Sequence, residues 1–181
     1  MVKGKTLDLV LSALGAVLIA VCSWISVPGA VPFTMQTFAV YFLLCLFGAK
    51  TGLQAIIVYI AIGAIGVPVF SGFCSGIGVL LGVTGGYIVG FIFIGVIYAV
   101  SEKFYKNRLS ADIISLSIGT LVCYTFGTVW FTAVYAGSNG AIGFWAVLMR
   151  CVVPFILPDA AKLALAIMLS RKLKPILLKN K

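Results

Sequence analysis

The chain has no histidine and only four acidic residues among its 181. Histidine is the most frequent general acid or base, and neither a GxSxG nor an HExxH motif is present, so we do not expect an enzyme. Its five cysteines stand singly in apolar stretches without a CxxC pair, which argues against a disulfide framework and a zinc site. Residues 48–51 (GAKT) lack the upstream glycine of a phosphate-binding loop. We therefore expect no catalytic residue, no metal and no cofactor.

Charged residues are scarce and apolar residues are abundant. Hydrophobic residues make up 62% of the chain and charged residues 9%. A soluble domain of this size would need many more polar side chains to cover its exterior. The composition therefore predicts an all-α integral membrane protein that forms a single membrane domain over residues 1–181.

Six apolar segments approach the roughly 20 residues that a helix needs to cross the hydrocarbon core. We predict these helices at residues 7–27, 31–47, 53–67, 77–100, 111–135 and 154–171. The last apolar stretch, 143–170, is too long for one span and contains Pro154 and Pro158. Because proline suits the first turn of a helix and breaks its interior, we expect a short interfacial or re-entrant segment at 143–153, followed by a helix that one of the prolines opens.

Basic residues give the chain a net charge of +9, and their positions predict its orientation. Eleven of the 13 lie at the termini or in breaks on one side of the predicted bundle: Lys3, Lys5, Lys50, Lys103, Lys106, Arg108, Arg171, Lys172, Lys174, Lys179 and Lys181. The breaks near 28–32, 68–86 and 136–142 carry none. Because cytoplasmic loops are enriched in Lys and Arg, we predict that both termini are cytoplasmic. No aromatic–basic pattern suggests nucleic acid as a partner.

Arg150, Asp159 and Lys162 lie within apolar sequence, where a charge costs about 2.5 to 3.5 kcal/mol on insertion scales. Asp159 and Lys162 are three residues apart and share one helix face. Two interpretations remain open. The pair is either a structural ion pair in the first turn after Pro158, or a ligand site near the outer face that offers a carboxylate acceptor, an ammonium donor and the free N–H groups of a helix start.

Two glycine-rich segments, 70–76 (FSGFCSG) and 82–87 (GVTGGY), are predicted on the same side as Asp159. Irregular backbone at membrane depth is tolerated where it lines a cavity or is buried in protein. The segments therefore predict a cavity wall or lid, with a tight glycine-packed helix junction as the alternative.

The first predicted helix carries small residues at a spacing of four. They are Ser12, Ala16 and Ala20, with Ala13 beside them. Small residues let helices approach closely in lipid, so this stripe is either an interface for a partner subunit or a packing face within the bundle.

Four segments together resemble the BioY family, the biotin-specific S components of energy-coupling factor (ECF) transporters. Residues 31–38 (VPFTMQTF), 63–70 (GAIGVPVF), 82–91 (GVTGGYIVGF) and 154–162 (PFILPDAAK) resemble the family's VPxTxQTF, GxxGxPVF, GPTGGYxxGF and PFxPGDxxK motifs. They occur in the same order, and the similarity runs over nearly the whole chain, from the first predicted helix to the sixth. Val83 departs from the pattern, where the family usually has proline, and Leu157 departs from it in the step that precedes Asp159.

The resemblance implies a six-helix S component in the cell membrane that binds biotin from outside. Its partners would be an EcfT-type transmembrane coupling subunit and two ATPase subunits, which alone would use ATP. Biotin would place its carboxylate on Lys162, helped by Arg150, and its ureido ring on Asp159; the opposite assignment stays open. The remaining candidate ligand residues are Gln36 and Thr34 as polar partners, Phe70, Phe73 and Tyr87 as apolar contacts, and Gly85 and Gly86 in the second glycine-rich segment.

Three alternatives remain. The chain is an S component for another vitamin, a facilitator that works without ATPase partners, or a membrane enzyme. Competition by other vitamins, transport without partners, and product formation from a bound ligand would distinguish them.

Overall fold

The computed structural model describes residues 2–29, 31–105, 108–139 and 143–178, which fold mainly as helices. The elements are α1 (Val2–Trp24), β1 (Ser26–Val27), β2 (Phe33–Thr34), α2 (Gln36–Phe47), α3 (Ala49–Ala64), a 3-10 turn (Ser71–Phe73), α4 (Ile77–Leu81), α5 (Gly85–Phe104), α6 (Leu109–Asn139), α7 (Phe144–Cys151) and α8 (Val153–Leu178). Four helical stretches are long and apolar enough to cross a membrane: Lys5–Trp24, Gly85–Phe104, Leu109–Gly137 and Val153–Leu177. Two shorter apolar helices are α2 and α3. The structure therefore agrees with a helical membrane protein.

The connection between α1 and α2 differs from the prediction. Helices were expected at 7–27 and 31–47, but α1 ends at Trp24 and α2 begins at Gln36. Between them Ser26 and Val27 pair antiparallel with Thr34 and Phe33, so the fold includes a two-stranded ribbon that the all-α expectation omitted. Pro28 and Pro32 lie inside the connection and interrupt the helical hydrogen bonds, which leaves the flanking residues free to pair.

The remaining boundaries shift by a few residues because polar residues beyond the membrane can continue a helix. The predicted helix at 53–67 lies at Ala49–Ala64, and the one at 77–100 is divided at 82–84 into α4 and α5. α5 continues to Phe104, beyond the predicted end at residue 100. The helix predicted at 111–135 extends through Asn139, so the break expected near 136–142 is helical as far as it is described.

The proline-containing end of the chain is divided much as the residues predict. The short helix α7 precedes α8, and Pro154 is the second residue of α8. Pro158 lies inside α8 without ending it. Since Pro158 is still close to the helix start, its missing N–H removes one hydrogen bond from a turn that Pro154 has already begun. α8 runs on to Leu178, beyond the predicted end at Arg171.

The small-residue stripe of α1 packs inside the bundle. Ser12, Ala16 and Ala20 are buried, and the Ser12 hydroxyl lies within hydrogen-bond distance of Gln54 on α3. Beside them, a side-chain carbon added at Gly15 would contact Ala55 of α3. Of the two interpretations of this stripe, the structure supports packing within the chain for these buried residues, and the partner interface stays a prediction. Only Ala13 of this set is exposed.

Ionic contacts gather several helix ends at one end of the bundle, called here the basic end. Lys50 at the start of α3 pairs with Asp8 of α1 at 2.9 Å, and Arg171 of α8 pairs with Asp112 of α6 at 3.0 Å. The Glu102 carboxylate, from α5, accepts the Ala49 N–H that begins α3. The described basic residues of this end are Lys5, Lys50, Lys103, Arg108, Arg171, Lys172 and Lys174. Lys106, Lys179 and Lys181 of the predicted set lie outside the described residues, as does the side chain of Lys3.

Candidate functional site

A cavity of about 300 Å³ lies between the starts of α2, α5 and α8. These three helices end at the basic end, so the cavity is toward the opposite end of the bundle. Its volume is at the lower end of the range of about 300 to 1,000 Å³ that is usual for small-molecule pockets. The ribbon, the segment after α3, and the helices α4, α6 and α7 complete its wall. The described lining is Gly29, Val31, Pro32, Thr34, Gln36, Thr37, Phe70, Ser71, Cys74, Val79, Thr84, Tyr87, Ile88, Phe91, Cys123, Tyr124, Cys151, Phe155, Asp159 and Lys162.

Asp159 and Lys162 form a buried ion pair in the cavity wall. Lys162 Nζ lies 2.7 Å from Asp159 Oδ1, and both side chains are 6% exposed. They occupy one face of the first turns of α8, as their spacing predicts. Lys162 also donates to the Thr34 carbonyl at 2.6 Å and lies 3.9 Å from the centre of the Phe33 ring. The ammonium group is therefore neutralised by a carboxylate, a carbonyl dipole and an aromatic face together.

Two hydroxyl groups that the sequence did not single out hold the Asp159 carboxylate. Thr37 of α2 donates to Asp159 Oδ1 at 3.0 Å, and Tyr124 of α6 donates to Asp159 Oδ2 at 2.5 Å. Thr37 also accepts a hydrogen bond from Lys162 at 3.3 Å. Each carboxylate oxygen thus has a donor, and three helices meet at this one group. Such a fully satisfied network keeps two charges in a fixed geometry within an apolar bundle.

Thr34 and Gln36 line the cavity beside this pair and are buried. Thr34 Oγ1 donates to Gln36 Oε1 at 3.0 Å and accepts the Gln36 backbone N–H at 3.2 Å. The Gln36 amide donates to the Tyr59 hydroxyl of α3. The sequence predicted the two residues as polar partners of a ligand. The structure shows that they also position the start of α2 and the Thr34 carbonyl that Lys162 contacts.

Aromatic rings form much of the apolar wall. Phe70 is 1% exposed and Tyr87 is 8% exposed. Both were predicted as apolar contacts, and both line the cavity together with the ion pair. The Phe70 ring lies directly against Gly63, and the Tyr87 ring against Gly127. A side chain at either glycine would occupy the ring's place, so glycine allows both rings to approach a helix closely.

Other predicted ligand residues lie outside the cavity lining. Phe73 is 63% exposed and stacks on Trp24, with ring centres 5.0 Å apart. Arg150 is exposed in the last turn of α7. The glycines Gly85 and Gly86 are buried where α5 begins, against the Leu80 backbone and the Trp130 side chain respectively. They allow close packing beside the cavity, which corresponds to the glycine-packed junction left open for this segment.

The cavity can bind a small molecule that has both donors and acceptors at one end and apolar groups elsewhere. All five cysteines are free thiols, and three of them, Cys74, Cys123 and Cys151, line the cavity. Among the residues that the structure describes, no group of three or more Cys, Asp or Glu side chains has a metal-binding arrangement.

Comparisons with known proteins identify the relatives of this chain. The family model described as BioY family matches residues 1–179. The probable biotin transporter BioY of Pyrococcus horikoshii is 37% identical over 173 residues, which cover 95% of this chain and 98% of that protein. The biotin transporter BioY of Thermotoga maritima is 36% identical, with 93% of this chain and 96% of that protein covered.

A solved structure is similar over the same range. The crystal structure of the S-component for biotin from an ECF-type ABC transporter matches with a TM-score of 0.82 and 25% identity. The match covers 97% of this chain and 94% of that one. The likeness therefore extends over nearly the whole fold.

Proposed function

The chain belongs to the BioY family, and we propose that it captures biotin in the cavity beside Asp159 and Lys162 as the S component of an ECF-type uptake transporter. The observation that carries this proposal is the buried ion pair, which opens onto an otherwise largely apolar cavity of about 300 Å³. Biotin combines a compact hydrogen-bonding ureido group with an apolar thioether ring and chain, and it matches both parts of that surface.

The ureido group is the part of biotin that best fits the ion pair. It has two N–H donors and one carbonyl acceptor, so it can donate to Asp159 and accept from Lys162 while the two stay 2.7 Å apart. A biotin carboxylate in the same place would approach the Asp159 carboxylate and be repelled. Arg150 was expected to help Lys162 bind the biotin carboxylate, but it lies outside the cavity lining. We therefore favour the ureido group at the pair over the carboxylate.

The apolar wall suits the rest of the ligand. Phe70 and Phe91 are buried rings of the lining, and Phe155 of α8 is stacked on Phe33 with ring centres 5.9 Å apart. These rings offer faces and edges for the thioether ring and the aliphatic chain.

A six-pass arrangement with both termini in the cytoplasm accounts for the two ends of the bundle. α1, α3 and α6 begin at the basic end, whereas α2, α5 and α8 end there. The four long helices and the two shorter ones therefore alternate in direction. With the basic end in the cytoplasm, as the positive-inside rule requires, the cavity faces the outer side of the cell membrane.

ATP-driven uptake needs a partner that binds ATP, because the sequence contains no recognisable nucleotide-binding loop. We propose an EcfT-type coupling subunit and two ATPase subunits as these partners, in keeping with the ECF-type transporter of the similar solved structure. A chain that moved biotin into proteoliposomes without partners or ATP would instead be a facilitator.

The test is titration calorimetry of the detergent-solubilised chain, prepared from biotin-free medium. We expect biotin to bind with a stoichiometry near one to one, and other vitamins to fail to compete. Biotin methyl ester should bind nearly as well as biotin, whereas the diamine formed by removing the ureido carbonyl should bind weakly. Strong binding of another vitamin, or no biotin binding by a folded chain, would overturn the proposal. A methyl ester that fails to bind would instead place the carboxylate at Lys162.

A further inference from the structure

A second concave surface lies between the first turns of α6 and the second half of α8, with a volume of about 690 Å³. We call it the α6–α8 groove. Its lining shares no residue with the cavity that holds Asp159 and Lys162. It is therefore a separate feature, and it is lined by Leu109, Ile113, Leu163, Ala164, Ile167, Met168, Arg171 and Lys172.

The walls of the α6–α8 groove are apolar and open to the outside of the bundle. Leu109 and Ile113 of α6 are 48% and 41% exposed, and Met168 of α8 is 49% exposed. Ala164 of α8 is also exposed, and its small side chain leaves room in the groove near Leu163. Surfaces of this kind on a membrane protein face acyl chains or another apolar partner.

One end of the groove is basic. Arg171 and Lys172 line it, and Arg108 precedes Leu109 directly. The carboxylate of Asp112 is 3.0 Å from Arg171 and accepts a hydrogen bond from Tyr98. Among the described residues of this mouth, three cations and this one carboxylate leave two positive charges in excess. An anionic group is therefore the complementary ligand here.

The length of the groove matches half of a bilayer. Leu163 and Lys172 are nine residues apart on α8, which is about 14 Å at 1.5 Å per residue. Half of a hydrocarbon core of about 30 Å is about 15 Å. A lipid whose head group contacts Lys172 would thus lay its chain along Ile167 and Ala164 and end near Leu163.

We propose that the α6–α8 groove binds one anionic phospholipid from the leaflet at the basic end. Its phosphate contacts Arg171 and Lys172, and one acyl chain lies between α6 and α8. A zwitterionic lipid would add an ammonium group to a mouth that already has excess positive charge. A second copy of this chain would bring two basic mouths together, so like charges oppose that occupant.

Native mass spectrometry of the delipidated chain in detergent tests the proposal, with phosphatidylglycerol and phosphatidylcholine of identical acyl chains as probes. We expect the first phosphatidylglycerol to bind about tenfold more tightly than phosphatidylcholine. Lys172→Gln should weaken phosphatidylglycerol binding about fivefold and leave phosphatidylcholine unaffected. The matched control is Lys103→Gln, which removes an exposed positive charge from the same end outside the groove and should change neither lipid.

Ala164→Trp tests the acyl-chain part, because the indole would fill the groove and should remove the tight phosphatidylglycerol site. A thermal unfolding midpoint close to that of the wild type shows that this variant is folded. Equal binding of the two lipids, or equal losses in Lys172→Gln and Lys103→Gln, would overturn the proposal. So would an Ala164→Trp variant that keeps its lipid but no longer copurifies with a partner subunit, since the groove would then be a protein interface.

Discussion

The two ends of the bundle use the same ion-pair chemistry in opposite ways. At the basic end, Lys50 and Asp8 are 2.9 Å apart with side chains 71% and 35% exposed. In the cavity, Lys162 and Asp159 are 2.7 Å apart with both side chains 6% exposed. The distances are nearly equal, so burial is what separates the two pairs.

Burial changes what each pair contributes. An exposed ion pair contributes about 0 to 1 kcal/mol, because water and salt screen the charges. Removing one member of a buried pair costs about 3 to 5 kcal/mol, since the other charge stays in a low-dielectric site without compensation. Two hydrophobic residues in the same place would often give the protein equal stability. Stability alone therefore does not explain why an ion pair is buried in this wall. Its two charges face a cavity, and this suits them for exchanging hydrogen bonds with a ligand.

Lys162→Ala should have the largest effect on biotin binding. The substitution removes the donor expected for the ureido carbonyl and leaves the Asp159 carboxylate buried without its cation. We expect biotin affinity to fall about a hundredfold in titration calorimetry. A retained thermal unfolding transition in detergent is the control for folding. If affinity is unchanged in this variant and in Asp159→Asn, the pair is structural only and the proposed site is wrong.

Asp159→Asn should have the next largest effect. Asparagine keeps the size of the side chain and one acceptor oxygen, but its NH₂ group replaces either the oxygen that faces Thr37 and Lys162 or the oxygen that faces Tyr124, so a donor meets a donor in either orientation. We expect biotin to bind at least about tenfold more weakly. Raising the salt concentration should not reproduce this loss, because a pair 6% exposed is poorly screened.

Phe70 and Phe73 provide a matched test of the apolar wall, since they lie three residues apart in one loop. Phe70 is 1% exposed and lines the cavity, whereas Phe73 is 63% exposed and stacks on Trp24. We expect Phe70→Leu to weaken biotin binding about tenfold and Phe73→Leu less than about twofold. Equal losses would mean that the bound state closes Phe73 over the ligand, as the sequence had predicted for this loop.

The sequence predicted the charged residues of this candidate site, because a charge within an apolar stretch can be recognised from the neighbouring residues alone. A carboxylate and an ammonium three residues apart in an apolar stretch are conspicuous, because lipid penalises each of them. Thr37 and Tyr124 escaped notice because hydroxyl groups are common in membrane helices. Their contacts with Asp159 join positions 122 and 35 residues apart, and no local pattern marks such a pairing.

The fold was predicted to a similar extent. Apolar length predicts where helices lie, and Pro154 and Pro158 predict the division of the last stretch. The ribbon at Ser26–Val27 and Phe33–Thr34 was missed, since its residues are as apolar as the helices beside it. The sequence also could not predict which helix the small-residue stripe of α1 packs against. Small residues favour close packing against any helix, and only the structure identifies that helix as α3.

Tyr124→Phe tests the positioning of the buried pair with a single atom. It removes the hydroxyl that donates to Asp159 Oδ2 and keeps the ring in the wall. We expect biotin affinity to fall about fivefold, because a hydrogen bond to a charged group contributes about 1.5 to 3 kcal/mol and a ligand N–H can replace part of it. Tyr135→Phe on the same helix is the control, since Tyr135 stacks on Phe131 outside the cavity lining. A similar loss in both variants would indicate a general effect on α6.

The smallest effect on stability and on biotin affinity is expected at the basic end. Lys50→Ala removes the cation of the exposed pair with Asp8. We expect the free energy of unfolding to fall by less than about 1 kcal/mol and biotin affinity to change less than about twofold. Chemical unfolding of Lys50→Ala, Asp8→Asn and the double variant gives the coupling energy of the pair. The corresponding cycle at Lys162 and Asp159 gives the coupling energy of the buried pair. Equal coupling energies would show that burial does not distinguish the two ends. A smaller coupling energy for the exposed pair would leave burial beside the cavity as the feature that makes the Asp159–Lys162 pair suited to a ligand.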